Sequence, residues 1–102
     1  MRIIVFFDLP VLTAAQRKEY TKFRRNLIKE GYLMMQESVY TKLAINRQTM
    51  ELEMKRILSF LPKNGLVQAL TVTEKQFCKM KMLLGQGYEH PEISTTERLI
   101  II

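Results

Sequence analysis

Five consecutive large apolar residues, Ile3 to Phe7, open the chain, and the pattern then turns polar at Asp8. Three β-branched and two aromatic side chains in so short a run predict a strand covered on both faces. Pro10 has no amide to donate to a ladder, so this strand ends near Leu9 and holds Asp8 at its carboxyl end. From Thr13 to Glu30 there is neither Gly nor Pro, and Gln16, Tyr20, Phe23 and Leu27 recur on one face at 100° per residue, which predicts an amphipathic helix. Thr13 and Gln16 have capping-box spacing at its start, and Gly31 ends it. Tyr32 to Lys42 reads as a second strand whose alternation fails around Met34-Met35-Gln36-Glu37, which predicts a bulge or bend near Gln36. Asn46 then caps a second helix with the stripe Met50, Met54, Ile57, Leu58 and Leu61 toward the core, and Pro62 stops it. Its outer positions are assigned to Glu51, Glu53, Lys55 and Arg56, a face of mixed sign.

The turn Lys63-Asn64-Gly65 leads into a third strand, Leu66 to Val72, and Thr73 with Gln76 forms another capping box that opens a short helical turn. Met80 to Leu84 reads as a fourth strand closed by Gly85, and Gln86 to Thr96, with its Gln-Gly and His-Pro turn signals, as an exposed loop. The last four residues, Leu99, Ile100, Ile101 and Ile102, are all aliphatic and must pair with something. They either extend the chain's own sheet or are donated to another protomer or protein by strand addition. The architecture expected is α+β: a ferredoxin-like βαββαβ sandwich with both helices on one sheet face and an additional C-terminal strand. It divides into a domain over residues 1–85 and a loop and terminal strand over residues 86–102.

Length and composition add little to that outline. A chain of 102 residues with 47% apolar content makes one domain, and no window approaches a membrane span. The single cysteine, Cys78, cannot close an internal disulfide, and no secretory leader precedes the first strand, so a cytoplasmic protein is expected. Charge changes the picture more. Sixteen Lys and Arg against ten acids give a net charge of +6, which favours a polyanionic partner. Lys18, Lys22, Arg25 and Lys29 fall in one row on the polar face of the first helix, with Arg17 and Arg24 beside its apolar side. Such a row spans about 16 Å and reads either as a solvated face or as a track for successive phosphates. An open-sheet base reader is disfavoured, because Leu66–Val72 contains no aromatic residue. A sheet face without that use is better covered by a second copy, which predicts a homodimer through the sheets.

Asp8 is the strongest candidate for chemistry. It reads either as a strand-end aspartate capping a nearby turn or, if two sheets pack about a two-fold axis, as half of a carboxylate pair able to hold Mg²⁺. Neither His90 nor Cys78 has a partner at motif spacing, and there is no Gly-rich phosphate loop, zinc pattern or catalytic triad.

Ile3-Ile4-Val5-Phe6-Phe7-Asp8-Leu9-Pro10, Tyr20-x-x-Phe23-Arg24-Arg25-x-Leu27, Gly31-Tyr32 and Gln36-Glu37-Ser38-Val39-Tyr40, in this order and spacing, resemble the CRISPR-associated protein 2 family. The resemblance covers essentially the whole chain. It implies a ferredoxin-like homodimer that joins the CRISPR-associated protein 1 integrase to capture double-stranded DNA and insert it into the CRISPR array as spacers. It also implies a metal-dependent endonuclease activity on RNA or DNA, with Asp8 as Mg²⁺ ligand and catalytic residue. Arg17, Lys18, Arg24 and Arg25 would match the surface that touches the DNA backbone, and the terminal strand the segment that completes a partner's sheet and helps dock the integrase.

Overall fold

The computed structural model describes residues 1–85. The loop over residues 86–96, His90 and the terminal residues Leu99, Ile100, Ile101 and Ile102 lie outside the described residues, as does the second part of the expected division.

The elements run β1 (Arg2–Asp8), α1 (Ala14–Lys29), β2 (Leu33–Gln36), β3 (Val39–Leu43), α2 (Arg47–Leu58), β4 (Leu66–Val72) and α3 (Glu74–Cys78). The strands form one antiparallel sheet in the order β2-β3-β1-β4. This is the ferredoxin-like α+β arrangement, with the Ile3–Phe7 run at the centre because it alone is hydrophobic at every position. β1 pairs with β3 from Arg2↔Leu43 to Phe6↔Val39 and with β4 from Arg2↔Val72 to Asp8↔Leu66.

Two readings of the sequence need correction. Tyr32–Lys42 is not one bent strand but a hairpin, β2 and β3, joined at Glu37-Ser38, with a register shift between Met34 and Gln36. The polar pair that breaks the alternation is the turn itself, and this hairpin supplies the fourth strand. Met80–Leu84 is not a strand: the Met80 amide is spent on the last turn of α3, donating to the Phe77 carbonyl, and Leu83 and Leu84 face solvent.

Ile3, Val5, Phe7 and Leu9 pack with Phe23 and Leu27 of α1 and Ile57 of α2, so both long helices cover the same sheet face. Phe7 is the hub of the aromatic cluster, with ring centroids 5.1 Å from Phe23, 5.7 Å from Tyr40 and 5.9 Å from Tyr20. That cluster lies under the carboxyl end of β1 and fixes the strand that carries Asp8. At the other end of β1, Arg2 reaches Glu74 through two hydrogen bonds of 2.7 and 2.9 Å and stacks over Phe77, tying α3 to the sheet.

The stripe expected on α2 is only partly buried. Ile57 is in the core and Met50 and Met54 pack against it, but Leu58 and Leu61 are exposed. Glu53, expected on the outside, is buried instead. Its Oε2 accepts from Lys42 Nζ of β3 at 2.8 Å and from Arg56 at 3.3 Å, and Lys42 also donates to the Glu30 carbonyl at the end of α1. The carboxylate is buried because a lysine from the sheet's helix-covered face meets it there. Tyr32 lies beside this group, and burial first, with the Glu53 charge second, pushes its hydroxyl pKa well above the usual tyrosine range.

Candidate functional site

Strand alternation divides β1 cleanly. Ile3, Val5, Phe7 and Leu9 face the helices, so Ile4, Phe6 and Asp8 face the other way. Across the ladders the same outer face receives Leu43 and Val39 from β3 and Leu70 and Leu66 from β4. Leu43, Leu66, Leu70 and Leu33 are each more than half exposed, and no described element covers them. With Thr41 opposite Ile4 and exposed Gln68 opposite Phe6 on the same face, the result is a largely apolar plateau with Asp8 at one end of it.

Asp8 is exposed and its backbone is held tightly. Leu9 is buried in the core, and Gly65, from the turn before β4, presses against both residues. A Cβ on Gly65 would stand 2.6 Å from Leu9 Cδ2 and 2.8 Å from the Asp8 carbonyl oxygen, and its φ of +103° disfavours any side chain. The described residues contain no group of three or more His, Cys, Asp or Glu that could hold a metal. Mg²⁺ demands about six oxygens, so among the described residues Asp8 by itself does not make a metal site.

The cation row lies elsewhere. Lys18, Lys22, Arg25 and Lys29 are all exposed on α1, on the side away from Phe23 and Leu27. None forms an ion pair among the described residues, where the pairs found are Arg2–Glu74, Lys42–Glu53, Arg56–Glu30 and Arg56–Glu53. Lys22 also borders a cleft of about 230 Å³ between α1 and the end of α2, shared with Glu19, Phe60 and Pro62, which does not reach Asp8. The row belongs to the helix layer and Asp8 to the opposite face of the sheet.

Arg17 and Arg24, also exposed, are engaged within the chain. Arg17 Nη1 donates to the Val11 and Leu12 carbonyls at 3.2 and 3.1 Å. Arg24 Nε donates to the Tyr40 hydroxyl at 2.7 Å, a bond that raises the already high pKa of the guanidinium. Together with Tyr20, whose hydroxyl donates to the Glu37 carbonyl, Arg24 fastens α1 to the β2–β3 hairpin. Sequence spacing showed where these two arginines stand on the helix but not that the chain itself occupies them. Gly65 was legible as a turn residue, whereas its approach to Asp8 required the fold.

Comparison with known proteins places these features in a family. The profile described as CRISPR associated protein Cas2 matches residues 1–80. The chain is 49% identical over 102 residues to the CRISPR-associated endoribonuclease Cas2 of Ligilactobacillus salivarius and 46% identical over 102 residues to the protein of the same name from Treponema denticola, in each case over the full length of both chains. Among solved structures, the crystal structure of Streptococcus pyogenes Cas2 at pH 6.5 matches with a TM-score of 0.63, covering 83% of this chain and all of that one at 17% identity, which speaks for the fold.

Proposed function

The chain belongs to the Cas2 family of CRISPR-associated proteins, and on that footing we propose that it is the dimeric scaffold of spacer acquisition, binding double-stranded DNA without regard to sequence and bridging subunits of the CRISPR-associated protein 1 integrase in the cytoplasm. One observation carries the reading. Four exposed cations without ion-pair partners among the described residues form a row on the helix face turned away from the sheet, while Asp8 lies on the opposite face. A duplex held along the row is therefore not delivered to the carboxylate, which suits holding DNA better than cutting it. The apolar plateau supports a second copy packed sheet to sheet, because a face of that kind is costly to leave in water. Two copies would carry two rows. Leu99, Ile100, Ile101 and Ile102 would complete a partner's sheet and help dock the integrase.

Phosphate contacts fix position rather than sequence. If a dimer neutralises about eight phosphates, log affinity for a duplex falls with log salt at a slope of about −7. Replacing Lys18, Lys22, Arg25 and Lys29 together by Ala should flatten that slope and abolish binding at physiological salt. A wild-type slope near zero would overturn the scaffold reading, and unchanged binding by the fourfold variant would show that another face carries the DNA.

A second reading, hydrolysis of RNA or DNA, is favoured by the endoribonuclease names of the relatives. It too needs the dimer. Two Asp8 carboxylates brought together across the apolar plateau would hold Mg²⁺, which when bound neutralises charge on a scissile phosphate. The chain's own part would be to present the pair at the rim of the interface, with Gly65 and Leu9 fixing each backbone.

A further inference from the structure

The segment between Asp8 and α1 displays two apolar side chains outward, Leu12 at 86% and Val11 at 48% exposure. It is nevertheless firmly held. The Gln16 side-chain oxygen accepts from the Leu12 and Thr13 amides at 2.8 and 3.0 Å, while Arg17 Nη1 donates to the Val11 and Leu12 carbonyls. Two adjacent side chains thus satisfy four backbone groups, Pro10 restricts the approach, and buried Leu9 anchors the other end. A leucine on a slack loop could fold back onto the protein; this one is kept out. Because its backbone is already ordered, covering it with a partner forfeits little conformational entropy.

Charge indicates the partner. Residues 9–18 contain no carboxylate and α1 has no acid in its first turn; the flanking acids are Asp8, on the other face of the sheet, and Glu19, which lines a small pocket with Leu9, Pro10 and Gln16. The helix amino end adds a partial positive charge, and beyond the small residues Ala14 and Ala15 the cation row begins at Lys18. A polyanion that also offers an apolar surface matches both features, and a nucleic-acid duplex does so with its phosphates outside and stacked bases within. Apolar side chains presented among cations insert against base steps in this manner.

We propose that the Val11–Leu12 loop is an apolar wedge that contacts the base stack of a duplex running along the α1 cation row, with Gln16 and Arg17 as the residues that position it. The inference rests on the scaffold reading of that row. It assigns Arg17 to holding the loop rather than to a phosphate.

The test is fluorescence anisotropy of a short random-sequence DNA duplex titrated with full-length protein at several salt concentrations. Leu12 is exposed, so its variants fold. Burial of its side chain is worth about a factor of ten in affinity relative to Ala. Leu12→Ala and Leu12→Ser should each weaken binding about tenfold at every salt concentration, with the slope unchanged, since an apolar contact releases no counterions. Leu12→Met should bind like wild type. Arg17→Gln should weaken binding similarly, again without changing the slope, whereas loss of phosphate contacts would lower it. Unchanged affinity of Leu12→Ala on a duplex that still shows a steep slope would overturn the wedge and leave the cation row standing. A reduced slope for Leu12→Ala would overturn it as well. A flat wild-type slope would instead remove the scaffold reading itself.

Discussion

Replacing Lys42 by Met separates a buried ion pair from an ornamental one. Glu53 is 3% exposed, and its Oε2 accepts from Lys42 at 2.8 Å and from the half-exposed Arg56 at 3.3 Å. With Lys42 gone, the carboxylate stays in the interior with Arg56 alone, and the Glu30 carbonyl loses its donor at the end of α1. Breaking a buried pair by removing one partner costs about 3 kcal/mol, because the surviving charge is left uncompensated. For a domain of this size that is a fall in Tm of about 12–24 °C. The double variant Lys42→Met, Glu53→Leu should recover most of the loss, since apolar residues of similar volume replace such a pair at little cost. Glu53→Leu alone should be mild, as Lys42 is partly exposed and can reach water. Thermal and urea melts at one fixed protein concentration measure all four corners of the cycle. A Lys42→Met penalty under about 1 kcal/mol, the value of a surface pair, would refute the claim that this carboxylate depends on its lysine.

Three further outcomes follow from the same geometry. Gly65→Ala should destabilise by about 2 kcal/mol or more, seen as a lower Tm, because the new Cβ meets the Asp8 carbonyl and a positive φ is retained only at a cost. If the hydrolase reading holds, Asp8→Ala should remove metal-dependent cleavage in a nuclease assay while leaving the salt slope of duplex binding intact; loss of both would place nucleic acid and carboxylate on one surface, against the geometry described above. Tyr32→Phe should be neutral or stabilising by up to about 1 kcal/mol at neutral pH, because the buried hydroxyl, though beside the Glu53 carboxylate, makes no well-formed hydrogen bond among the described residues. Its pH dependence has a definite sign. Native Tyr32 keeps its proton above the ordinary tyrosine pKa whereas the unfolded chain gives it up, so its contribution is complete below pH about 10 and lost as pH rises beyond it. Urea midpoints on both sides of pH about 10 should therefore fall more steeply for wild type than for Tyr32→Phe, and parallel curves would refute this.

What the sequence made legible was local. Thr13 and Gln16 form the capping box that their spacing predicts, Asn46 caps α2, and the Ile3–Phe7 run is the central strand because continuous hydrophobicity leaves no other place for it. The position of Asp8 at a strand end was equally readable. Its face was not, since that depends on which side of the sheet the helices cover. Glu53 reads as outward because of its charge, although its spacing, three residues after Met50 and four before Ile57, sets it on the core side, and the long-range meeting with Lys42 offsets its burial. Met80–Leu84 reads as a strand because four apolar residues in a stretch of five resemble one whether or not a partner edge exists. The hairpin is half legible: the alternation breaks at Gln36 and Glu37, but a turn and a bulge disturb the period alike, and here both are present.

The two margins of the sheet differ in a way that limits growth. On one side β2 offers four residues and a register shift, a poor template for another chain; on the other β4 presents seven residues in straight register with β1. Among the described residues only the second margin can accept a long newcomer. If two molecules trade segments there, each spends the single docking rail it has, and association terminates at a closed pair instead of propagating into a fibre.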